Sequence, residues 1–395
     1  MKWEKKKLCE CTEYITDGDH QPAPKADKGV HFIKIKDIVN NQVSFDAQVY
    51  VPQEYYDNLP MERKPQKEDV LYTVVGSFGI PSYVQTDELF CFERNIALLH
   101  PNKDIEPRFL YYSLKNPAFY KGVEIVANGS AQKLIPLSKL KDLKILVPDK
   151  EAQRHIADIL SAYDDLIENN QRQIKLLEEA AQRLYKDWVV DLRFPGHENT
   201  KIVDGVPEGW SKSTVGNICK LRKVVITPDK IESNTPYIGL EHMPRNDICL
   251  STWGKSEEIN SNKFIYLKKD VLFGKIRPYF HKVGFALNDG ITSTDTMVMV
   301  ADQNLWGLLL VTVSSDAFVD FSYQNCKEGA KMPRADWKQM EKYAIMIADQ
   351  ATQKLFEQEI LVITNKISAL AFQCRSLREA RDRMLPKLMG GEVEA

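Results

Sequence analysis

From Ile156 the apolar residues recur in alternating steps of four and three: Ile156, Leu160, Tyr163, Ile167, then Asn170, Ile174, Leu177, Ala181, Leu184 and Trp188. A second run steps identically through Phe356, Ile360, Ile363, Ile367, Leu370, Cys374, Leu377, Arg381, Met384 and Leu388. Sustained 4-3 spacing keeps a side chain facing the same way every ~3.5 residues, the signature of a coiled-coil seam. The pattern therefore predicts two long helices that pair with each other, with Leu160 among the pairing positions. No Gly or Pro interrupts their central turns, and Pro148 and Pro386 fall near ends of the patterns, where interruption is tolerated. Residues 151–190 carry five Lys or Arg against eight Asp or Glu, and residues 350–390 carry seven against four. An acidic helix and a basic helix should prefer each other over themselves. Asn170 on the seam would cost stability and help fix register. The alternative is that each helix merely covers the core of its own globular segment.

The two helices are the ends of a repeat. Shifted by 200 positions, Gly129 to Trp188 falls on Gly329 to Leu388 without a gap. Ile145, Asp149, Gln153, Ile167, Gln173, Leu177, Glu179, Ala180 and Arg183 meet identical residues at 345, 349, 353, 367, 373, 377, 379, 380 and 383. Upstream the match is looser. Glu68-Asp69-Val70-Leu71 resembles Lys269-Asp270-Val271-Leu272, Phe32 to Ile35 resembles Tyr237 to Leu240, and Trp3-Glu4-Lys5 resembles Trp210-Ser211-Lys212. Each half reads as a mixed α/β segment of roughly 145 residues followed by a long helix. The predicted division is 1–150 globular, 151–192 helix, 193–207 linker, 208–350 globular, 351–390 helix and 391–395 tail. A helix of about 33 residues is roughly 50 Å long. Run antiparallel, two such helices place the globular segments at opposite ends about a pseudo-twofold axis, a geometry suited to two DNA half-sites.

Composition narrows the chemistry. The chain of 395 residues has a formal net charge of −2, so any grip on nucleic acid must come from local positive charge or from partners. No apolar run is long enough for a bilayer, and the stretch nearest to one, Val311 to Phe321, is broken by Ser314, Ser315 and Asp316. The charged start, Met1 to Lys7, does not read as a signal peptide. Seven scattered cysteines, of which only Cys9 and Cys11 are close, suit a reduced, cytoplasmic compartment and give no zinc pattern. The histidines lack metal-ligand spacing. There is no phosphate-binding G-x-x-x-x-G-K-[ST] and no dinucleotide G-x-G-x-x-G. Asn116-Pro117-Ala118-Phe119 resembles the N-P-P-[FY] loop of amino-methyltransferases, but has Ala in place of the second Pro and lies in a helix-like stretch. No catalytic residue, metal or cofactor is expected.

Three places suit DNA. Lys275 to Lys282 reads as strand–turn–strand and interleaves Lys275, Arg277, Tyr279, His281 and Lys282. Lys and Arg reach guanine edges and neutralise phosphates. The matching stretch of the first copy, Val74 to Tyr83, offers Ser77 and Tyr83 and no cation, so the copies differ most here. The second place follows each predicted helix, with Ser130, Gln132 and Lys133 in one copy and Lys331 and Arg334 in the other. The third is the polar turn carrying Asp19 and His20. A solvated turn is the plainer alternative for each.

Together these residues resemble HsdS, the specificity subunit of Type I restriction–modification enzymes. The resemblance is carried by Ile15 to His20, Pro207-Glu208-Gly209-Trp210, Asp270 to Phe273 leading to Arg277-Pro278, Gly129 to Lys133, and Pro148 to Gln153. It covers nearly the whole chain, and its strength lies in order and duplication. The second helix entrance, Ala348 to Gln353, lacks the proline, and Arg381 replaces an apolar seam residue. The resemblance implies an α+β fold: two tandem α/β target-recognition domains, each followed by a long spacer helix, the helices pairing as an antiparallel coiled coil. It implies a non-catalytic subunit that reads an asymmetric two-part sequence in double-stranded DNA. Its helices act as a ruler and dock two methyltransferase subunits, which restriction subunits join; it needs no membrane. Two other readings are a fused methyltransferase or nuclease, and an adaptor that binds only proteins.

Overall fold

The computed structural model describes residues 3–39, 41–127, 133–256, 259–302, 304–326 and 332–392. Contacts divide the chain into two units, Met1–Leu166 with Leu377–Ala395, and Ile167–Ser376.

In the first unit a four-stranded antiparallel sheet runs in the order Thr12–Asp17, Ile96–Pro101, Val70–Thr73, Pro81–Tyr83. Its central strand, Ile96-Ala97-Leu98-Leu99, is buried on both faces and reads as a continuous apolar run. One face packs on the helices Pro107–Lys115 and Pro117–Val126 through Val70, Tyr72, Ala97, Leu99, Phe109 and Phe119. The other face, with Leu71, Leu98 and Ile96, meets Phe90 and Phe92, which belong to the three-stranded sheet Tyr50–Val51, Val30–Ile33, Phe90–Phe92. Asn116 accepts the Ala118 N–H at 3.0 Å and so starts a helix, with Pro117 at the position where a missing N–H costs nothing. The Asn-Pro-Ala-Phe stretch is thereby accounted for as a cap.

The second unit repeats the plan with more strands. A five-stranded sheet runs Cys219–Leu221, Thr296–Ala301, Val271–Gly274, Val283–Ala286, Cys249–Leu250, and a four-stranded sheet runs Val225–Ile226, Lys263–Tyr266, Gly290–Thr292, Tyr237–Ile238. The helices Trp306–Val313 and Asp316–Gln324 pack on the first of these. Near the ends of each globular part an antiparallel pair closes the chain: Glu4–Lys7 with Lys144–Val147, and Ser211–Thr214 with Ala344–Ile347. The registers Glu4↔Val147 and Ser211↔Ile347 agree with the repeat.

The long helices span Lys150–Tyr185, extended by a π turn over Lys186–Val190, and Gln350–Met389. Within each unit they pair antiparallel. In the first unit Ile156 and Leu160 share a cluster with Leu385, Leu388 and Met389. In the second, Asn170 donates to Gln373 (3.4 Å), Cys374 lies against the Ile167 carbonyl (3.7 Å), and the rings of Trp188 and Phe356 meet at 5.9 Å. Numbers rise along one helix as they fall along the other. Each fully buried seam side chain is worth ~1.5–3 kcal/mol.

Arg381, the exception on the seam, meets a built partner. It pairs with the carboxylate of Asp164, which also accepts the Tyr112 hydroxyl at 2.8 Å and lies 3.6 Å from Lys115. The positions 200 residues away are Thr364 and Ala181, both buried in the second unit, where Thr364 donates to the Ile360 carbonyl (2.8 Å). The helices also hold the globular parts. Gln153 Oε1 accepts the Glu106 N–H that opens the helix Pro107–Lys115 (2.9 Å). Glu357 accepts the N–H groups of Gly307 and Leu308 (2.7 and 3.0 Å) at the start of Trp306–Val313, where a negative charge favours the helix dipole.

Candidate nucleic-acid interface

In each unit the loop of a hairpin in the main sheet is joined by a β-bridge to the segment after the second short helix. The bridges are Val75↔Leu134 and Ile276↔Arg334. Two of the three places picked out in the sequence are therefore neighbours in both units. In the first, the Gly76 N–H donates to the Lys133 carbonyl (3.3 Å) and the Ile135 N–H to Val74 (2.9 Å). In the second, the Arg277 N–H donates to Pro333 (2.8 Å) and the Ala335 N–H to Lys275 (2.9 Å). Ser130, Gln132 and Lys331, named above as candidates, lie outside the described residues.

The two hairpins share their closing bonds and bridges but differ in side chains and, by one residue, in loop length. Thr73 N–H to the Ile80 carbonyl corresponds to Gly274 N–H to Lys282. On that alignment the left-handed positions are Gly76 (φ 71°) and Gly79 (φ 84°) in the first unit, and Arg277 (φ 50°) and His281 (φ 51°) in the second. Glycine occupies this region without strain, whereas a side chain there costs ~1–2 kcal/mol. A Cβ on Gly79 would also strike the Tyr120 ring. The second unit accepts strain that the first avoids, at the place where the copies differ most.

The side chains fall into two groups. Lys275 Nζ donates to the Thr294 carbonyl (2.6 Å) and Lys282 Nζ to the Leu240 carbonyl. Burial lowers both ammonium pKa values, and the cation of Arg245 adds to the lowering at Lys282. His281 Nε2 lies 2.8 Å from the Ser314 carbonyl and Nδ1 lies 3.3 Å from Asp316. These three brace the loop. Arg334 pairs with Asp295 at 3.1 Å but stays largely exposed. Tyr279 is exposed and packs edge-on to Phe280 and Tyr323 at 4.9 and 5.2 Å. Arg277 lies over the Phe280 ring, as does Arg245, a residue of a polar turn that nothing in the sequence distinguished.

In the first unit Ser77 is exposed at the hairpin tip, where its carbonyl accepts the Thr73 hydroxyl (2.7 Å). Phe78 stacks on Tyr120 at 5.8 Å and carries Lys133 Nζ at 5.4 Å from its ring. Tyr83 sits further back between Arg108 and Tyr111, and burial pushes its hydroxyl up to about 12. The Asp19 turn is a separate feature. Burial raises the Asp19 carboxyl, but bonds from the Gln21 N–H and Tyr55, with Arg63 nearby, outweigh it and hold the pKa below the ordinary value. Asp19 is thus engaged, whereas His20 is exposed, 3.2 Å from Asp17. Both line a cleft with Lys34, Tyr50, Arg94 and Asn95, and the Asn95 carbonyl accepts the Val74 N–H at the base of the hairpin.

Among the described residues no group of His, Cys, Asp or Glu is placed to hold a metal ion, and no helix is long and apolar enough to cross a membrane.

The family model described as "Type I restriction modification DNA specificity domain" matches residues 1–179. The chain is 25% identical over 330 residues to the Type I restriction enzyme MjaIX specificity subunit of Methanocaldococcus jannaschii, covering 76% of this chain and 71% of that one. It is 29% identical over 170 residues to the HindI specificity subunit of Haemophilus influenzae, covering 41% and 36%. The crystal structure of the S subunit of a Type-I restriction-modification system from M. genitalium aligns with a TM-score of 0.59 at 17% identity, covering 98% of this chain and 96% of that one. At that identity the likeness is one of fold.

Proposed function

We propose that the chain is a member of the Type I restriction–modification specificity subunits, which the family model over residues 1–179, the relatives and the shared fold support, and that it reads an asymmetric, two-part sequence in double-stranded DNA. One hairpin and its bridged segment would address each part. The observation that carries this is the duplicated site. The same hairpin, bridged to the same downstream segment, recurs in both units, with Ser77, Phe78 and Lys133 in one and Arg277, Tyr279 and Arg334 in the other. A shared framework with unlike side chains suits two different half-sites, because base edges are told apart by donor and acceptor pattern.

We infer that residues 1–150 and 208–350 are the two target-recognition domains and that 151–192 and 351–390 are spacer helices. The chain itself carries out no catalysis. Methyl transfer and cleavage belong to two methyltransferase subunits and to restriction subunits assembled with it in the cytoplasm. The net charge of −2 supports a shared grip on the phosphates, since a chain binding alone would carry a larger basic excess. Of the candidates, Ser77, Lys133, Arg277, Tyr279, Arg334 and His20 present side chains outward. Lys275, His281, Lys282, Asp19 and Tyr83 act mainly by shaping the loops. Ser130, Gln132 and Lys331 complete the proposed set.

The test is exchange of residues 1–150 for the same segment of a relative with a different target. One half of the methylated motif should change and the other should remain. A change in both halves would refute the division of labour.

A further inference from the structure

One ring organises the second interface. Arg245 Cζ lies 4.0 Å from the Phe280 centroid and Arg277 Cζ lies 5.8 Å from it. The contact is fixed by backbone. Asn246, held at φ 63°, donates its N–H to the His281 carbonyl at 3.1 Å, which ties the turn carrying Arg245 to the hairpin. Arg245 is exposed and Arg277 half-buried. Among the described residues neither forms an ion pair within 4.0 Å.

Arg277 is also held in the left-handed region where the other hairpin has glycine. Strain held in place by its surroundings points to a use for the side chain. The chemistry supplies the use. A guanidinium resting on an aromatic ring loses rotamer freedom and keeps its N–H edge free, so its donor fork is set before binding. That fork matches the O6 and N7 acceptors of guanine in the major groove. A lysine in either place would give charge without the fork.

We propose that Arg245 and Arg277, seated on Phe280, form a paired reader that donates to guanine edges in the half of the target addressed by residues 208–350. This rests on the reading of the chain as a DNA-specificity subunit and adds Arg245 as a determinant of sequence.

The experiment is whole-genome methylation sequencing of a host expressing the chain with its methyltransferase subunit, for the wild type and for Arg245→Ala, Arg245→Lys, Arg277→Ala and Phe280→Leu. Arg245→Ala should lower preference for one guanine roughly 5- to 150-fold. The affected position should fall in the half-site that Arg277→Ala relaxes, with the other half unchanged. Arg245→Lys should behave like the alanine variant, and Phe280→Leu should weaken both positions. A uniform fall across all sequences that lysine restores would make Arg245 a phosphate contact and overturn the proposal. An unaltered motif in Arg245→Ala would overturn it equally. Because Arg245 is exposed, melting of that variant complex should match the wild type; a large drop would mean a structural role. If the wild-type chain yields no two-part motif, the functional reading itself fails, and this proposal with it.

Discussion

Arg277 sits where glycine would fit better, and this makes Arg277→Gly an informative substitution. At φ 50° and ψ 64° the arginine is in the left-handed region, at ~1–2 kcal/mol for a residue with a Cβ. Glycine removes that strain but gives the unfolded chain more freedom, worth ~0.4–1 kcal/mol. It also loses the long contact with the Phe280 ring, worth ~0.5–1 kcal/mol. The terms nearly cancel, so Arg277→Gly should lie within about 1 kcal/mol of the wild type in urea denaturation. Arg277→Ala keeps the strain, loses the contact and should be the less stable of the two. Recognition should behave otherwise: if Arg277 reads a base as proposed, both variants should lose ~1–3 kcal/mol at that contact and relax one position of one half-site. Stability would be read from denaturation midpoints at unchanged slope, and recognition from the methylated motif. Destabilisation of Arg277→Gly beyond about 2 kcal/mol would refute the reasoning, because the side chain would then be holding the loop. An unchanged motif would refute it from the other side.

Three further outcomes are expected. Asp164→Ala and Arg381→Ala should each destabilise by ~2–4 kcal/mol, while the double variant costs at least ~1 kcal/mol less than their sum; additivity within ~0.5 kcal/mol would contradict the pairing. Glu178 is buried, and its Oε1 accepts the N–H groups of Ile248 and Cys249 (3.0 and 3.1 Å). Burial and the nearby Asp247 push it up to about 8 from 4.5, against an opposing pull from Lys175. A carboxyl raised on folding contributes stability at low pH that is lost as pH rises through that window. Melting temperature should therefore fall between pH 4.5 and 8, and Glu178→Gln, which keeps an amide oxygen for both bonds, should flatten the fall; an equally steep Gln profile would count against it. Glu357→Ala leaves the Gly307 and Leu308 N–H groups without their acceptor and should cost ~2–4 kcal/mol in urea denaturation; a cost under ~0.5 kcal/mol would show that water replaces the carboxylate.

Some of this was legible in the sequence for definite reasons. The helix seams could be read because their spacing persists over many turns, and Ile156, Leu160, Ile167, Phe356 and Ile360 are buried as it requires. The hairpin Lys275 to Lys282 could be read because Pro278 interrupts two apolar runs, and strands do flank a turn at Pro278–Phe280. Which cations face outward could not be read. Lys275 and Lys282 look as free in sequence as Arg277, yet their ammonium groups are held by carbonyls of Thr294 and Leu240, fixed by long-range folding. Arg245 reaches the site from a turn more than 30 residues before Phe280, and its neighbour strand Cys249–Leu250 has only two residues, too short to show a period. Arg381 looked like a flaw in the seam because its partner, Asp164, lies 217 residues away.

The central claim is that this chain gives DNA modification its sequence. The most direct measurement is methylome sequencing of a host carrying the partner methyltransferase, with and without this chain. A methylated motif of two unequal blocks separated by a fixed gap, present only with the chain, is the predicted result. Methylation unchanged when the chain is absent would contradict the account.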